Sequence, residues 1–372
     1  MLSLQQFLNL FFVYFLQMTD NTSKIIKSIR PSKIIFPILI GLGVTGFLLY
    51  REYQPGSFSL LSFTVQSIFW LLLSFGMMVL RDLGYIIRIR ILSNNELSWR
   101  KSFKIIMLWE FASTVTPSAI GGTSVAVFFV NKEGINFGRS AAIVLVTSFF
   151  DELYFIIMFP LLLILIGASN IFALEGLDAV TTWHINKFVI IAFIGYSIKL
   201  SYLLLVSYAI FINPLRIKQL LLFIFKIPFI RRWRGKAEKT GDDLIEASKE
   251  FKRWSLIKWL KAFGATFMSW TARYWVVNTL IITFFGINLL SWSEQILIFG
   301  KQLVMWIMML VSPTPGGSGF AEYFFKEFLG AFIPAGTGVA MALLWRMVSY
   351  YPYLFIGAIV VPRWIKKLIV SQ

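Results

Sequence analysis

The sequence predicts an all-α polytopic membrane protein of about six transmembrane helices plus two re-entrant broken-helix hairpins in an inverted repeat. Three observations predict it. The chain is 58% hydrophobic and 14% charged, with a mean hydropathy of +0.75, where an average soluble domain carries about 25% charged residues. Several stretches reach the ~20 apolar residues that a bilayer crossing needs. Finally, the chain says nearly the same thing twice. Val115-Thr-Pro-Ser-Ala-Ile-Gly-Gly-Thr-Ser-Val-Ala reads against Val311-Ser-Pro-Thr-Pro-Gly-Gly-Ser-Gly-Phe-Ala, about 195 residues later. Each copy interrupts a hydrophobic stretch with helix breakers and small hydroxyl residues. Such breaks free backbone polar groups, which membrane depth tolerates only inside protein or beside a watery cavity. Matched breaks in corresponding halves point to a transporter binding site. The alternative is a pair of ordinary loops sharing Pro and Gly.

In chain order, Met1 to Gln17 is apolar but short for a span, and it lacks the basic n-region of a signal peptide. It reads either as an interfacial helix or as an over-called start with Met18 as initiator. The segment 1–33 is expected to be cytoplasmic, followed by a flippase-like transmembrane domain over 34–361 and a cytoplasmic tail over 362–372. Apolar spans run Ile34–Tyr50, Leu60–Leu80, Ala141–Ile166, Phe188–Ile212, Leu256–Phe285 and Val339–Val361. The broken segments are roughly Phe103–Val130 and Gln295–Ile333. The first repeat covers about 58–166, the second about 256–361, with a basic cytoplasmic connector over 213–255. In that connector, Gly241-Asp-Asp-Leu-Ile-Glu reads as a charged helix with acidic residues in its first turn.

Lys and Arg mark the cytoplasmic side. Lys24, Lys27, Arg30 and Lys33 precede the first span; Arg81, Arg88, Arg90, Arg100 and Lys101 follow the second; Arg363, Lys366 and Lys367 follow the last. Gly167–Asn186 and Gly286–Glu294 contain neither Lys nor Arg. Both termini are therefore expected inside. The first broken segment then enters and leaves from the cytoplasm and the second from outside, which inverts one half relative to the other.

Ionisable residues at bilayer depth cost about 2.5–3.5 kcal/mol on insertion scales and are functional candidates by default. Asp151 and Glu152 sit in the third span, Arg273 in the fifth and Arg346 in the last, with Glu110 and Lys301 in the descending arms and Glu322 beyond the second glycine pair. Asp151 follows Gly122 by the same 29 residues that separate Arg346 from Gly317. Equivalent positions of opposite charge suggest that the two pair or line one polar cavity; a static ion pair is the structural alternative. The helices expected to restart after the glycine pairs would aim backbone N–H groups and a positive dipole end inward. Thr123, Ser124 and Ser318 add hydroxyl donors. That chemistry suits a phosphate-bearing headgroup.

The motifs Thr116-Pro-Ser-Ala-Ile-Gly-Gly and Pro313-Thr-Pro-Gly-Gly-Ser-Gly-Phe-Ala-Glu, with the Arg of Leu344-Trp-Arg, resemble the lysylphosphatidylglycerol synthase transmembrane-region family. That family includes the flippase-like membrane half of the multiple peptide resistance factor. The resemblance runs from about Ile34 to Val361. It implies a plasma-membrane lipid translocase for an anionic, aminoacylated or glycosylated lipid. The residues it carries over are Pro117, Gly121, Gly122, Pro313, Pro315, Gly316, Gly317, Glu322 and Arg346. Many relatives place a Glu beside the first glycine pair, where this chain has Thr123 and Ser124, which leaves headgroup preference open. No soluble aminoacyl-transfer domain follows, so the chain is expected not to make lysyl-lipid itself.

Catalysis is not expected. Outer-loop acids Glu52, Glu175, Asp178 and Glu294 are scattered, and the lone His184 has no companion for metal or nucleophilic chemistry. No cofactor and no metal are expected. Neither are disulfides, since there is no Cys. The charge of +17 is read as topology and anionic headgroups on the cytoplasmic face rather than nucleic acid. The expected partners are membrane phospholipids, with a homo-oligomer and a separate lipid-modifying enzyme as further candidates. A secondary transporter of a small anionic solute shares the same logic and is the alternative; a lipid-linked transferase is the more distant one. Asp151 and Glu152 are the candidates for proton coupling.

Overall fold

The computed structural model describes residues 64–115, 118–173, 182–226, 231, 234–286, 291–309, 317, 319–334 and 336–370, with a few isolated positions before residue 64. The expected N-terminal segment, the span Ile34–Tyr50, and Pro117, Pro313, Pro315, Gly316 and Ser318 lie outside them. For Gly121 and Ser124 only the helical backbone is described. Among the described residues the chain is helical and contains no strand.

The longer helices among the described residues are α1 (Val65–Leu92), α2 (Trp99–Val115), α3 (Ser118–Lys132), α4 (Phe137–Ile166), α5 (Thr182–Ser207), α6 (Pro214–Ile224), α7 (Arg234–Lys252), α8 (Leu256–Phe285), α9 (Trp292–Met309), α10 (Phe320–Leu329), α11 (Gly338–Ser349) and α12 (Tyr351–Val370). By length and apolar composition, Val65–Leu92, Phe137–Ile166, Val189–Ile212 and Gly338–Trp364 can each cross a membrane. At 1.5 Å per residue α1, with 28 residues, is about 42 Å long, longer than the ~30 Å hydrocarbon layer. α8 matches it in length with 30 residues but not in hydropathy. Its buried Thr266, Ser269, Asn278, Thr279 and Thr283 explain the difference: its polar side is turned into protein.

Local chemistry sets the boundaries. Thr64 caps α1 by accepting from the Ser67 N–H, and Asn136 caps α4 by accepting from the Arg139 N–H. Asn94 and Asn95 turn the chain after α1 at φ of 52° and 63°, a left-handed region that asparagine tolerates better than most residues. Gly167 and Gly286 close α4 and α8 at φ of 86° and 83°.

α1 and α8 form the principal packing contact of the fold. Ser74 Oγ donates to Thr279 Oγ1 at 2.8 Å, Ser269 Oγ donates to the Arg81 carbonyl at 2.9 Å, and Arg88 donates to Thr266 at 3.1 Å. Positions rising along one helix meet positions falling along the other, so the two run antiparallel. Their closest approach is at Gly84, where an added Cβ would lie 2.6 Å from the Ala265 carbonyl oxygen and 2.2 Å from Ser269 Oγ. Gly84→Ala is therefore expected to destabilise by about 1–3 kcal/mol through forced separation. Gly76, on the same helix with nothing within 4 Å, tolerates alanine or gains up to about 1 kcal/mol of helix propensity. Paired thermal unfolding of the two variants in detergent checks this.

Around that crossing each first arm packs against its own second arm, α2 on α3 and α9 on α10. Each then packs on the far half: α2 on α12, α9 on α4. Gly357 of α12 lies against the Phe111 ring, and Gly300 of α9 against Ile166. The connector folds as the α6–α7 hairpin, docked on α4.

Several boundaries correct the sequence reading. The second span is not Leu60–Leu80 but reaches Leu92, because its basic residues are buried in helix contacts rather than solvated in a loop. α3 starts at Ser118, so Gly121 and Gly122 fall inside a helix instead of before one. There Gly122 lets Ser113 of α2 approach, with an added Cβ 2.0 Å from its Oγ. The last span is broken at Tyr350, whose hydroxyl donates to the Thr114 carbonyl at 3.0 Å. The expected tail over 362–372 is helical through Val370. Asp242 and Asp243 lie in mid-helix, since α7 begins at Arg234.

Candidate functional site

The site begins with a spacing. Ser67, Ser74, Arg81 and Arg88 recur every seven residues along α1 and are all buried. Seven residues make two helical turns, so one polar stripe runs the length of an apolar helix. A guanidinium at such depth must be paired and hydrogen-bonded.

Arg81, 1% exposed, is the hub. Its guanidinium meets Glu110 of α2 at 2.5 Å and Asp82 at 3.0 Å, and donates to Tyr353 of α12 at 2.8 Å. The Tyr353 hydroxyl donates in turn to Asp82 at 2.8 Å. The rings of Tyr85 and Tyr353 lie 4.9 and 5.2 Å from the cation. One side chain thus ties three helices. Two turns further on, Arg88 pairs with Asp151 of α4 at 2.5 Å, and Asp151 also accepts from Trp270 Nε1 of α8 at 2.7 Å.

Two further pairs lie outside the α1 stripe. Lys199 of α5 donates to both oxygens of Glu152, at 2.8 and 3.0 Å, and sits 4.5 Å from the Phe155 ring. Arg346 of α11 donates through Nε to Glu322 at 2.9 Å, with side chains 5% and 2% exposed. Glu322 also accepts from the Gly319 N–H at 2.6 Å. That contact caps the start of α10, satisfying one of the orphan donors at a helix beginning.

Asp151 and Arg346, equivalent by spacing, do not pair; each has a partner within its own half. Lys301 is 3% exposed and donates to the Ala173 carbonyl. Arg273 is half-buried beside two indoles that meet edge-to-face, 5.4 Å from Trp270 and 4.7 Å from Trp306. Thr123 is half-buried on α3, and Gly317 is buried ahead of α10.

Sequence reasoning missed Arg81, Asp82, Arg88 and Lys199 as members of the polar interior. The heptad of Ser67, Ser74, Arg81 and Arg88 was the available signal for α1. For Lys199 it was a lone cation inside the apolar run Phe188–Ile212.

On the connector side a second polar network gathers helix ends. Arg139 bridges Glu96 at 2.6 Å and Glu250 of α7 at 3.2 Å, Asn94 donates to Glu250, and Lys258 donates to Asn94 while covering the Trp254 ring at 3.8 Å. Asn94, Glu250, Trp254 and Lys258 line part of a cleft of about 740 Å³. Because Glu96 is exposed, Arg139→Ala is expected to cost no more than about 1 kcal/mol, and less at high salt. Unfolding midpoints at low and high ionic strength check this.

A UPF0104 membrane protein of Archaeoglobus fulgidus is 28% identical over 311 residues, covering 81% of this chain and 84% of its own length. No solved structure matches. With apolar helices long enough to cross a bilayer and residues 34–357 matching the family model for the lysylphosphatidylglycerol synthase TM region, the chain is a membrane protein of that family.

Proposed function

We propose that the protein is a lipid translocase of the cell membrane, moving an anionic or modified phospholipid between leaflets through a polar interior between two inverted halves. The observation that carries this reading is the relation between repeat spacing and helix crossing. The 195-residue shift that takes Gly122 to Gly317 also takes Ser74 to Ser269 and Gly84 to Thr279. Ser74 packs on Thr279, and Ser269 packs on Gly84. Reciprocal contacts of this kind are what a two-fold relation requires. Antiparallel α1 and α8, equivalent under the shift, support inversion, and so do the matched cross-contacts of α2 with α12 and of α9 with α4. Inverted halves meeting at a polar interior suit alternating access.

Paired charges support a conduit. Four ion pairs buried among membrane-crossing helices are costly for a protein whose only task is to span. The lipid class follows from the family and from the excess of basic residues facing anionic headgroups. In this reading both termini and the connector are cytoplasmic, phospholipids are the partners, no cofactor takes part and no bond is made or broken. Coupling comes from ion gradients, from potential, or is absent.

The test is leaflet exchange in proteoliposomes of purified full-length chain, using fluorescent phosphatidylglycerol and phosphatidylcholine beside uptake of a soluble phosphate ester. Exchange of the anionic lipid well above protein-free liposomes supports translocation. Uptake of the soluble anion without lipid exchange would move the assignment to a secondary transporter.

A further inference from the structure

Among the described buried and half-buried cations, two meet ring faces and neither a carboxylate nor another acceptor: Arg90 in the last turn of α1, 4.1 Å from the Trp99 ring, and Arg273 midway along α8. Arg81 has Glu110 and Asp82, Arg88 has Asp151, Lys199 has Glu152 and Arg346 has Glu322. Lys301 is held by the Ala173 carbonyl. Arg273 has ring faces only: among the described residues its guanidinium meets no carboxylate and no hydrogen-bond acceptor, while the Trp270 and Trp306 rings lie 5.4 and 4.7 Å away. The nearby carboxylates are already engaged, Asp82 by Arg81 and Tyr353, Asp151 by Arg88 and Trp270.

From this we infer that Arg273, held beside Trp270 and Trp306, is the contact for the phosphate of the transported molecule, whereas the four paired cations are structural. The inference rests on the translocase reading for its lipid, and for its chemistry on a guanidinium that lies over indoles with no acceptor among the described residues.

Stacking on indoles supports a guanidinium without consuming its N–H groups, leaving the planar fork for a bidentate phosphate. Within a membrane a guanidinium whose N–H groups lack acceptors is unfavourable, and a bound phosphate supplies them. An ion pair already closed gains nothing comparable from a second anion. The location fits as well: Trp306 stands in the last turn of α9, just before the Pro313–Gly317 motif in sequence. The Trp270 indole also donates to Asp151 at 2.7 Å, so Arg273 and the Arg88–Asp151 pair share one indole.

The experiment is native mass spectrometry of the full-length protein in detergent, titrated with phosphatidylglycerol, phosphatidylcholine or glycerol phosphate, for wild type, Arg273→Gln and Arg273→Lys. Wild type is expected to retain phosphatidylglycerol, Arg273→Gln to lose at least tenfold in affinity, and Arg273→Lys to lose less, since an ammonium keeps charge but not the fork. Lys199→Gln, with its melting point recorded, serves as the paired-cation control and is expected to change that affinity less than threefold. If Arg273→Gln does not fold, the loss in Arg273→Lys decides, with Trp306→Phe as its companion. Equal phosphatidylglycerol binding by wild type and the Arg273 variants overturns the inference, as does a wild type that binds no phosphate compound. Arg273-dependent binding of glycerol phosphate as tight as that of the lipid keeps the phosphate contact and overturns the lipid reading instead.

Discussion

Arg81→Leu is expected to lower stability by about 3–5 kcal/mol, the largest loss among single substitutions in the polar interior. Removing one partner of a buried pair leaves the other charge uncompensated, and here two carboxylates, Asp82 and Glu110, lose their cation together. The contact with Tyr353 of α12 is lost as well, so the change separates helices that sit far apart in sequence. Arg81→Leu combined with Glu110→Leu is expected to recover part of the loss, because apolar replacement of a whole buried pair is often neutral. Thermal unfolding in detergent of wild type, the single and the double variant measures both effects. A single variant within about 1 kcal/mol of wild type would remove Arg81 from the centre of the fold.

The second large effect concerns transport. Glu322→Gln and Arg346→Gln are each expected to abolish lipid exchange in proteoliposomes, by at least tenfold. The pair joins the start of α10, just after the second glycine motif, to the broken last span. Either change frees a buried charge and loosens the helix beginning that Glu322 caps through Gly319. Asp151→Asn is expected to act in the same direction through Arg88. Exchanging charges between Asp151 and Arg346 is not expected to restore activity, because the two are held by different partners. Arg88→Asp with Asp151→Arg is the swap that geometry permits, and activity above either single change is the expected outcome.

Much of this architecture was legible in the sequence. The breaks around Pro117 and the Pro313–Gly317 motif marked where α2 gives way to α3 and α9 to α10, since proline stops a helix without help from tertiary contacts. The repeat spacing was readable too, and it turned out to describe the α1–α8 crossing as well as the motifs. What the sequence hid was pairing. Arg81 and Arg88 follow an apolar run, and a charge in that position reads as a loop marker unless its helical phase is traced back to Ser67 and Ser74. Equivalent charges at Asp151 and Arg346 suggested a bond between halves. In the proposed two-fold arrangement equivalent positions touch only near the axis, which would lie between the Ser74–Thr279 and Gly84–Ser269 contacts. The break at Tyr350 did carry a signal, Pro352, which cannot continue the preceding helix; what stayed hidden was the bond from the Tyr350 hydroxyl to the Thr114 carbonyl.

Inversion of the two halves is the claim on which the rest depends, and the absence of native cysteine makes it directly measurable. Ser98 and Ser293 are equivalent under the repeat shift and both exposed. Ser98→Cys and Ser293→Cys, labelled in sealed cells with a membrane-impermeant maleimide, are expected to respond from opposite sides, Ser293→Cys directly and Ser98→Cys only after permeabilisation. Labelling of both from the same side would contradict the inverted arrangement and, with it, the shared polar path.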